Sequence, residues 1–234
     1  MPWREYPKSG VFLGGRTMRI DLRVAQLLCS RLCHDLVGPA GAVNAGLELA
    51  GSAPGGDTEA LALAASSGRQ MGRRLQFFRI AFGFGGGDGT ISLDEARALA
   101  EGHLAGGTVM LDWPADAGAD AARPRPMAVA RLVLNIVLLG VGALPRGGTL
   151  SVRLAELGND LGAAFTAAGP DVRIDSDVIS AMAVNVPAET LTARTVHGHL
   201  AALLASSLGA EIETEVVGTE ARFAVLVPDG SVAE

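Results

Sequence analysis

The sequence has few aromatic residues, one lysine and two cysteines, and each scarcity limits what the protein can be. Aromatic residues make up 4% of the 234 residues, so leucine, valine and alanine must fill the sizeable core that a hydrophobic content of 49% allows. Lys8 is the only lysine among 19 basic residues, the arginines are scattered, and the formal net charge is -6. A nucleic-acid surface would need a clustered basic patch, so we do not expect nucleic acid as a partner.

The two cysteines, Cys29 and Cys33, are too few for a secreted disulfide scaffold. Their spacing of four residues on a helix is also poor for a disulfide bridge. We interpret them as small buried apolar side chains, with metal ligation as the less favoured alternative. Together with the absence of a recognisable signal peptide, they favour a reducing, cytoplasmic location.

A long apolar run at 127–144 is the one stretch that resembles a membrane span. It contains Arg131 and Asn135 and is followed directly by Pro145. Because an arginine inside a bilayer is costly and the run is short, the pattern predicts a buried core helix. We therefore expect no membrane association.

The most informative stretch covers 27–47, where helical spacing separates two faces. His34 and its neighbour Asp35 lie away from the apolar stripe, among small or polar residues. An exposed neutral imidazole can act as a nucleophile, and an adjacent carboxylate can orient it. The pattern predicts a site for chemistry with a partner that docks from outside. The apolar stripe, with spacings of three and four, comprises Ala25, Leu28, Leu32, Leu36, Ala40, Val43 and Leu47.

Two long helices are predicted, over 22–50 and 58–82, with Pro39 kinking the first and a glycine-rich turn between them. An antiparallel hairpin of two helices cannot bury both of its faces, so we predict a homodimer that completes a four-helix bundle. The second helix carries a seam at coiled-coil spacing, made of Leu61, Ala64, Gly68, Met71, Leu75, Phe78 and Phe82. Its arginines, Arg69, Arg73, Arg74 and Arg79, are interpreted as solvated flanks.

The rest of the chain alternates helices and strands. Ser92 and Glu95 form a predicted capping box that opens a helix, and glycines mark predicted hairpin turns near 158–160 and 218. The fold class predicted is α+β, a helical hairpin followed by a two-layer sandwich of helices against a mostly antiparallel sheet. The predicted divisions are a flexible leader at 1–21, the hairpin at 22–82, a linker at 83–89 and the α/β domain at 90–234.

His34, Asp35, Leu36 and Pro39 together resemble the phosphoacceptor box of histidine-kinase dimerisation helices. In that box the acid beside the histidine orients the ring or takes its proton. The longer run CSRLCHDLVGPAGAVNAGLEL at 29–49 is similar to the ChpT-like histidine phosphotransferases, dimers of the alphaproteobacterial cell-cycle phosphorelay. RLQFFRIAFG at 74–83 and LNIVLLGVGALPRGG at 134–148 share that resemblance.

The second domain resembles the ATP-binding domain of histidine kinases, but it departs from that pattern where nucleotide is held. Asn135 matches the first asparagine of the kinase box. The position of the second asparagine is occupied by Leu139, and a position that is commonly basic in kinases is occupied by Gly142. The adenine-reading aspartate falls on Ala167, and the glycine-rich lid is reduced to HGHL at 197–200. Leucine cannot ligate Mg²⁺ and alanine cannot accept a hydrogen bond from adenine, so we expect ATP binding to be lost.

These features predict a histidine phosphotransferase that passes a phosphoryl group between receiver-domain aspartates of a two-component phosphorelay through His34. The resemblance implies response-regulator receiver domains and an upstream hybrid histidine kinase as partners. It also implies that Mg²⁺ comes from the receiver, so no intrinsic cofactor or metal is expected. Two alternatives stay open: an ATP-dependent sensor-kinase core that autophosphorylates His34, and a non-catalytic dimeric adaptor that binds receivers.

His34 and Asp35 are the predicted catalytic pair, with Arg31 one turn earlier placed to steady phosphoryl oxygens. Small residues on the same face would let a receiver helix approach closely. The predicted docking residues are Ser30, Arg31, Val37, Gly38, Gly41 and Ala45.

The other three histidines receive structural interpretations. His103 falls near a helix end and is expected to be exposed or to cap that end. His197 and His199 flank Gly198, and a surface loop or helix start is favoured over a metal site there.

Overall fold

A computed structural model of the protein describes residues 21–52, 57–83, 89–115 and 121–229. The predicted leader falls outside the described residues except for Asp21, and the predicted linker falls outside them except for Gly83 and Gly89. The division into domains therefore stays a prediction. The α+β fold itself is confirmed, with a helical hairpin first and a sheet covered by helices after it.

The hairpin consists of α1 (Leu22–Ser52) and α2 (Thr58–Ala81). The Asp57 carboxylate caps α2 by accepting hydrogen bonds from the backbone N–H groups of Glu59 and Ala60, at 2.9 and 3.1 Å. The two helices lie in close contact at Gly46, where an added Cβ would lie 2.7 Å from the carbonyl oxygen of Ala60. Glycine at this position therefore sets the separation of the two helices.

The second part of the chain alternates helices and strands, as predicted, with two short strands that the sequence pattern does not predict, Thr90–Ile91 and Arg125–Pro126. Ser92 and Glu95 form the predicted capping box at the start of α3, and each satisfies a backbone N–H of the other. The helices are α3 (Leu93–Leu104), α4 (Met127–Gly142), α5 (Ser176–Ala181) and α6 (Val196–Ser207), with a 3₁₀ turn at Ala188–Thr190. The strands are β1 (Thr90–Ile91), β2 (Val109–Asp112), β3 (Arg125–Pro126), β4 (Gly148–Leu157), β5 (Asp160–Ala168), β6 (Ile212–Val217) and β7 (Glu220–Val227).

The main sheet has five strands in the order β2-β4-β5-β7-β6, and β1 pairs separately with β3. The β2–β4 pair is parallel and the other three pairs are antiparallel, which confirms the mostly antiparallel sheet. Gly158 and Gly218 turn the two hairpins with φ of 68° and 60°, which glycine adopts without steric cost. Alternate residues of β4, β5 and β7 are buried beneath helices on one face of the sheet.

The apolar run at 127–144 forms α4, which is buried between the sheet and the neighbouring helices as predicted. No helix in the described ranges is both long and apolar enough to cross a membrane. The end of α2 belongs to the same core, because Phe77, Phe78 and Ala81 pack with residues of α3 and α4. The side chain of Asn135 in α4 also donates a hydrogen bond to the carbonyl oxygen of Ala81, at 2.9 Å.

Candidate functional site

His34 lies midway along α1 with its side chain 88% exposed, and Asp35 beside it is 27% exposed. His34 Nδ1 lies 3.3 Å from Asp35 Oδ1. A carboxylate oxygen accepts a hydrogen bond here when Nδ1 carries the proton, and in that tautomer Nε2 keeps a free lone pair. The arrangement presents a nucleophilic nitrogen to solvent.

Pro39 removes one backbone hydrogen bond of α1 next to this pair. A proline has no N–H, so the carbonyl oxygen of Asp35, four residues earlier, has no partner within the helix. Arg74 of α2 replaces the missing donor, because its Nη1 donates a hydrogen bond to the Asp35 carbonyl oxygen at 2.8 Å. α1 continues through Pro39. The guanidinium group of Arg74 is thereby held at the backbone of Asp35, the residue that follows His34.

Arg31 occupies the next turn of α1 and connects the site to the second part of the chain. Its Nε lies 3.8 Å from Asp35 Oδ2, and its Nη1 lies 3.5 Å from Nδ1 of His197 in α6. His197 lies in the first turn of α6, which confirms the predicted helix start, but it is 4% exposed, so the alternative of a surface loop is wrong. His199 lies in the same first turn, is 5% exposed and donates from Nδ1 to the carbonyl oxygen of Ala181, so it too is at a helix start and not on a surface loop.

His103 lies in the last turn of α3, as predicted, but it is not a free surface residue. Its ring stacks on Phe77 with centroids 4.2 Å apart and meets Phe78 edge-on at 5.2 Å. Burial, reinforced by the charge of Arg74, lowers the pKa of His103 to about 4. Burial, reinforced by the charge of Arg31, lowers the pKa of His197 to about 3. Both rings are therefore neutral at physiological pH.

The predicted docking residues lie on the outer face of α1 around His34. Val37 is 68% exposed, Arg31 is half-buried, and an added Cβ at Gly38 or Gly41 would meet nothing within 4 Å. Ser30 and Ala45 are also exposed, so the set forms an accessible surface of mostly small side chains. Their role in docking stays a prediction.

The arginines of α2 divide into two groups that the sequence did not separate. Arg69 and Arg79 are exposed, as predicted. Arg73 and Arg74 are half-buried and make specific contacts, so the prediction of solvated flanks is wrong for them. Arg73 Nε donates to the carbonyl oxygen of Gly102 in α3, at 3.1 Å. The missing amide of Pro39 indicates that the Asp35 carbonyl lacks its helical partner, but it does not indicate which side chain binds there.

Three of the positions that match kinase nucleotide contacts lie inside the core, whereas Gly142 is exposed at the end of α4. Asn135, Leu139 and Ala167 are 0%, 3% and 0% exposed, so their side chains do not face a cleft that a ligand can enter. The run at 197–200 forms the first turn of α6 and is buried, with Gly198 packed against Val178 of α5. No group of three or more His, Cys, Asp or Glu side chains among the described residues is arranged to hold a metal ion.

An open apolar groove of about 810 Å³ runs between the start of α1 and the end of α2. Leu22 and Leu75 in this groove are 74% and 45% exposed. The apolar stripe of α1 is thus only partly covered by α2. Cys29 lines the groove, and both Cys29 and Cys33 are exposed, so their predicted burial is wrong for the single chain.

Comparison with known proteins agrees with this architecture. The family model of the histidine phosphotransferase C-terminal domain matches residues 93–220. The protein phosphotransferase ChpT of Brucella abortus (strain 2308) is 36% identical over 203 residues, which cover 86% of this chain and 94% of that protein. A solved structure of a bacterial phosphotransferase is 33% identical and superposes with a TM-score of 0.75, covering 89% of this chain and 98% of the other. The chain therefore belongs to the histidine phosphotransferase family.

Proposed function

We propose that His34 carries the phosphoryl group of this histidine phosphotransferase, taking it from the aspartate of one receiver domain and passing it to another. The exposed imidazole, with Nδ1 3.3 Å from Asp35 Oδ1 and Nε2 open to solvent, is the observation that supports this role. Nε2 attacks the phosphorus, the bond between phosphorus and the aspartyl oxygen breaks, and the carboxylate leaves. Transfer to the second receiver reverses the same steps.

Asp35 stabilises the imidazole as it gains positive charge, and Arg31 adds a cation next to the reacting group. In-line phosphoryl transfer depends mainly on position and on neutralising charge, which these residues supply at an open surface. Mg²⁺ and further positive charge come from the receiver in this proposal, so the chain needs no metal of its own. An upstream hybrid histidine kinase is the proposed source of the phosphoryl group, and the free thiols of Cys29 and Cys33 suit a cytoplasmic relay.

The two alternatives differ from this proposal in testable ways. A sensor kinase would need ATP next to His34, and the burial of Leu139 and Ala167 supports a domain without nucleotide contacts. A silent adaptor would not need the hydrogen bond between His34 and Asp35.

The protein should be incubated with labelled ATP alone, then with a labelled, phosphorylated receiver, each beside His34→Ala. We expect label from the receiver only, and none in the variant. Label from ATP alone would support the kinase, and no label in either case would leave the adaptor and contradict the proposal.

We also propose that the protein acts as a homodimer whose four-helix bundle is completed at the apolar groove between α1 and α2. A second copy of the hairpin would cover Leu22, Leu75 and the neighbouring apolar side chains, which otherwise face water. The exposed leucines continue along both helices, including Leu47 and Leu61, at 52% and 47% exposed. Such an extended apolar face is typical of helices that pack against a partner.

A further inference from the structure

The contact between Arg31 and His197 joins two residues that lie 166 positions apart in the chain. His197 stands in the first turn of α6, and that region also packs against the start of α1. Val24 of α1 is 2% exposed and forms a small separate core with Ala181, Leu191 and Val196. The second part of the chain therefore braces α1 close to the phosphoacceptor.

The chemistry of the two side chains determines which of them donates the hydrogen bond. A guanidinium group can only donate hydrogen bonds, so Nδ1 of His197 must accept from Arg31 and cannot carry a proton. Nδ1 can accept only if the His197 ring is neutral. Burial and the positive charge of Arg31 at 3.5 Å both oppose protonation of the ring. The remaining ring nitrogen then carries the hydrogen.

We propose that His197 is a positioning residue for phosphoryl transfer, which holds the Arg31 guanidinium against Asp35 and so helps to fix the tautomer of His34. The chain of contacts runs from His197 to Arg31 at 3.5 Å, to Asp35 at 3.8 Å, and to His34 at 3.3 Å. Without the anchor in α6, the long Arg31 side chain is free to adopt other rotamers and leave Asp35. This inference rests on the proposed role of His34 and adds a function for the second domain.

Two substitutions separate positioning from packing. His197→Phe keeps a ring of similar size but removes the acceptor, whereas His197→Asn loses the ring but keeps an acceptor near the Nδ1 position. We expect His197→Phe to slow transfer from a phosphorylated receiver by about tenfold, as misplacement near a reacting group does, and His197→Asn to be closer to the wild type. A packing role predicts the reverse order, and that result would overturn the proposal.

His199→Phe is the matched control, because His199 lies on the same helix, is equally buried and bonds to Ala181 rather than to Arg31. Its transfer rate should stay within about twofold of wild type if only the contact with Arg31 matters. An equal loss of transfer rate in His197→Phe and His199→Phe would indicate general damage to α6 and would overturn the proposal.

A spectroscopic measurement tests the same contact without phosphoryl transfer. Nitrogen-15 NMR of the full chain with labelled histidines reports four imidazoles, and His34 is identified by its loss in His34→Ala. Above pH 7 we expect an unprotonated Nδ1 on His197 in the wild type, and a smaller fraction of Nδ1–H on His34 in His197→Phe. A protonated Nδ1 on His197, or an unchanged His34, would overturn the proposal even if the receiver assay shows that His34 is the phosphoacceptor.

Discussion

At the scale of single residues, the site combines one exposed group with several that are held in place. His34 is open to a partner, whereas Asp35 is held at its side chain by Arg31 and at its backbone by Arg74. The proline of the phosphoacceptor box acquires a definite role here. Pro39 removes the amide that would otherwise satisfy the Asp35 carbonyl, and so creates a binding point for the guanidinium of Arg74.

This pairing predicts that Arg74 and Pro39 are energetically coupled. Arg74→Ala should lower the free energy of unfolding by about 1.5–3 kcal/mol, because it removes a charged hydrogen bond and leaves a carbonyl unsatisfied. In a Pro39→Ala background the new amide at position 39 can satisfy Asp35, so the same substitution should cost about 1 kcal/mol less. Denaturant unfolding of the four proteins in the cycle measures the coupling, and additive effects would contradict the assignment.

The buried histidines predict a dependence of stability on pH. The pKa values of His103 and His197 are lowered to about 4 and about 3, from 6.5 in the unfolded chain. Below pH 6.5 the unfolded chain therefore binds protons that the folded chain cannot, and stability falls as pH falls.

We expect the free energy of unfolding in urea, at fixed protein concentration, to drop by about 2–3 kcal/mol between pH 7.5 and 5.5. His103→Phe should lose about half of that dependence, because it keeps the stacked ring and removes one titrating group. Equal stability of the wild type at both pH values would contradict neutral, buried rings.

At the scale of elements, the two helices of the hairpin are in close contact at Gly46. A Cβ added at Gly46 would lie 2.7 Å from the Ala60 carbonyl oxygen and 3.0 Å from the Ala64 Cβ. The glycines nearer to His34 do not have this constraint, because Gly38 and Gly41 have open space around them. Glycines on one helix thus serve different purposes, helix packing in one case and an uncrowded outer surface in the other.

Gly46→Val should accordingly destabilise the protein by about 1–3 kcal/mol, because the two helices must separate to accommodate the side chain. Gly41→Ala is the comparison within the same helix, and it should stabilise the protein by about 0.5–1 kcal/mol through higher helix propensity. Thermal unfolding of both variants decides the matter. A Gly46→Val protein as stable as the wild type would show that the helices are not in close contact there.

At the scale of the whole molecule, the hairpin and the α/β part are joined by a continuous core. Phe77, Phe78 and Ala81 at the end of α2 pack with α3 and α4, while the start of α1 packs against α5 and α6. This arrangement leaves a different face of the hairpin, the apolar groove, for a second copy. The proposed phosphoacceptor surface and the proposed dimer surface are therefore separate sides of α1.

The dimer proposal predicts that Leu75→Glu converts the protein to a monomer. Each copy would lose about 1 kcal/mol of apolar burial and would also place a carboxylate against an apolar surface. Light scattering coupled to size exclusion should show twice the chain mass for the wild type and a single chain mass for the variant. Leu157→Glu, at an exposed leucine of β4 outside the groove, should remain dimeric. A monomeric wild type at micromolar concentration would contradict the proposal.

The sequence by itself determined the long helices, the two β-hairpins and the identity of the exposed imidazole, but not the short strands β1 and β3. Helical spacing located α1 and α2, the box of Ser92 and Glu95 located the start of α3, and the turn glycines located both hairpins. His34 could be singled out because its exposure follows from its position on one amphipathic helix. All of these signals are local, since spacing, capping and turn chemistry act within a few residues.

Only the tertiary structure decided which distant side chains surround that imidazole. The pairs Arg74–Asp35 and Arg31–His197 are 39 and 166 residues apart, and no local pattern distinguishes a partnered arginine from a solvated one. The burial of His197 and His199 was missed for the same reason, because it depends on α5 and the rest of the core that cover α6. Long-range packing therefore assigned the residues that hold the site, whereas helical periodicity alone had located its centre.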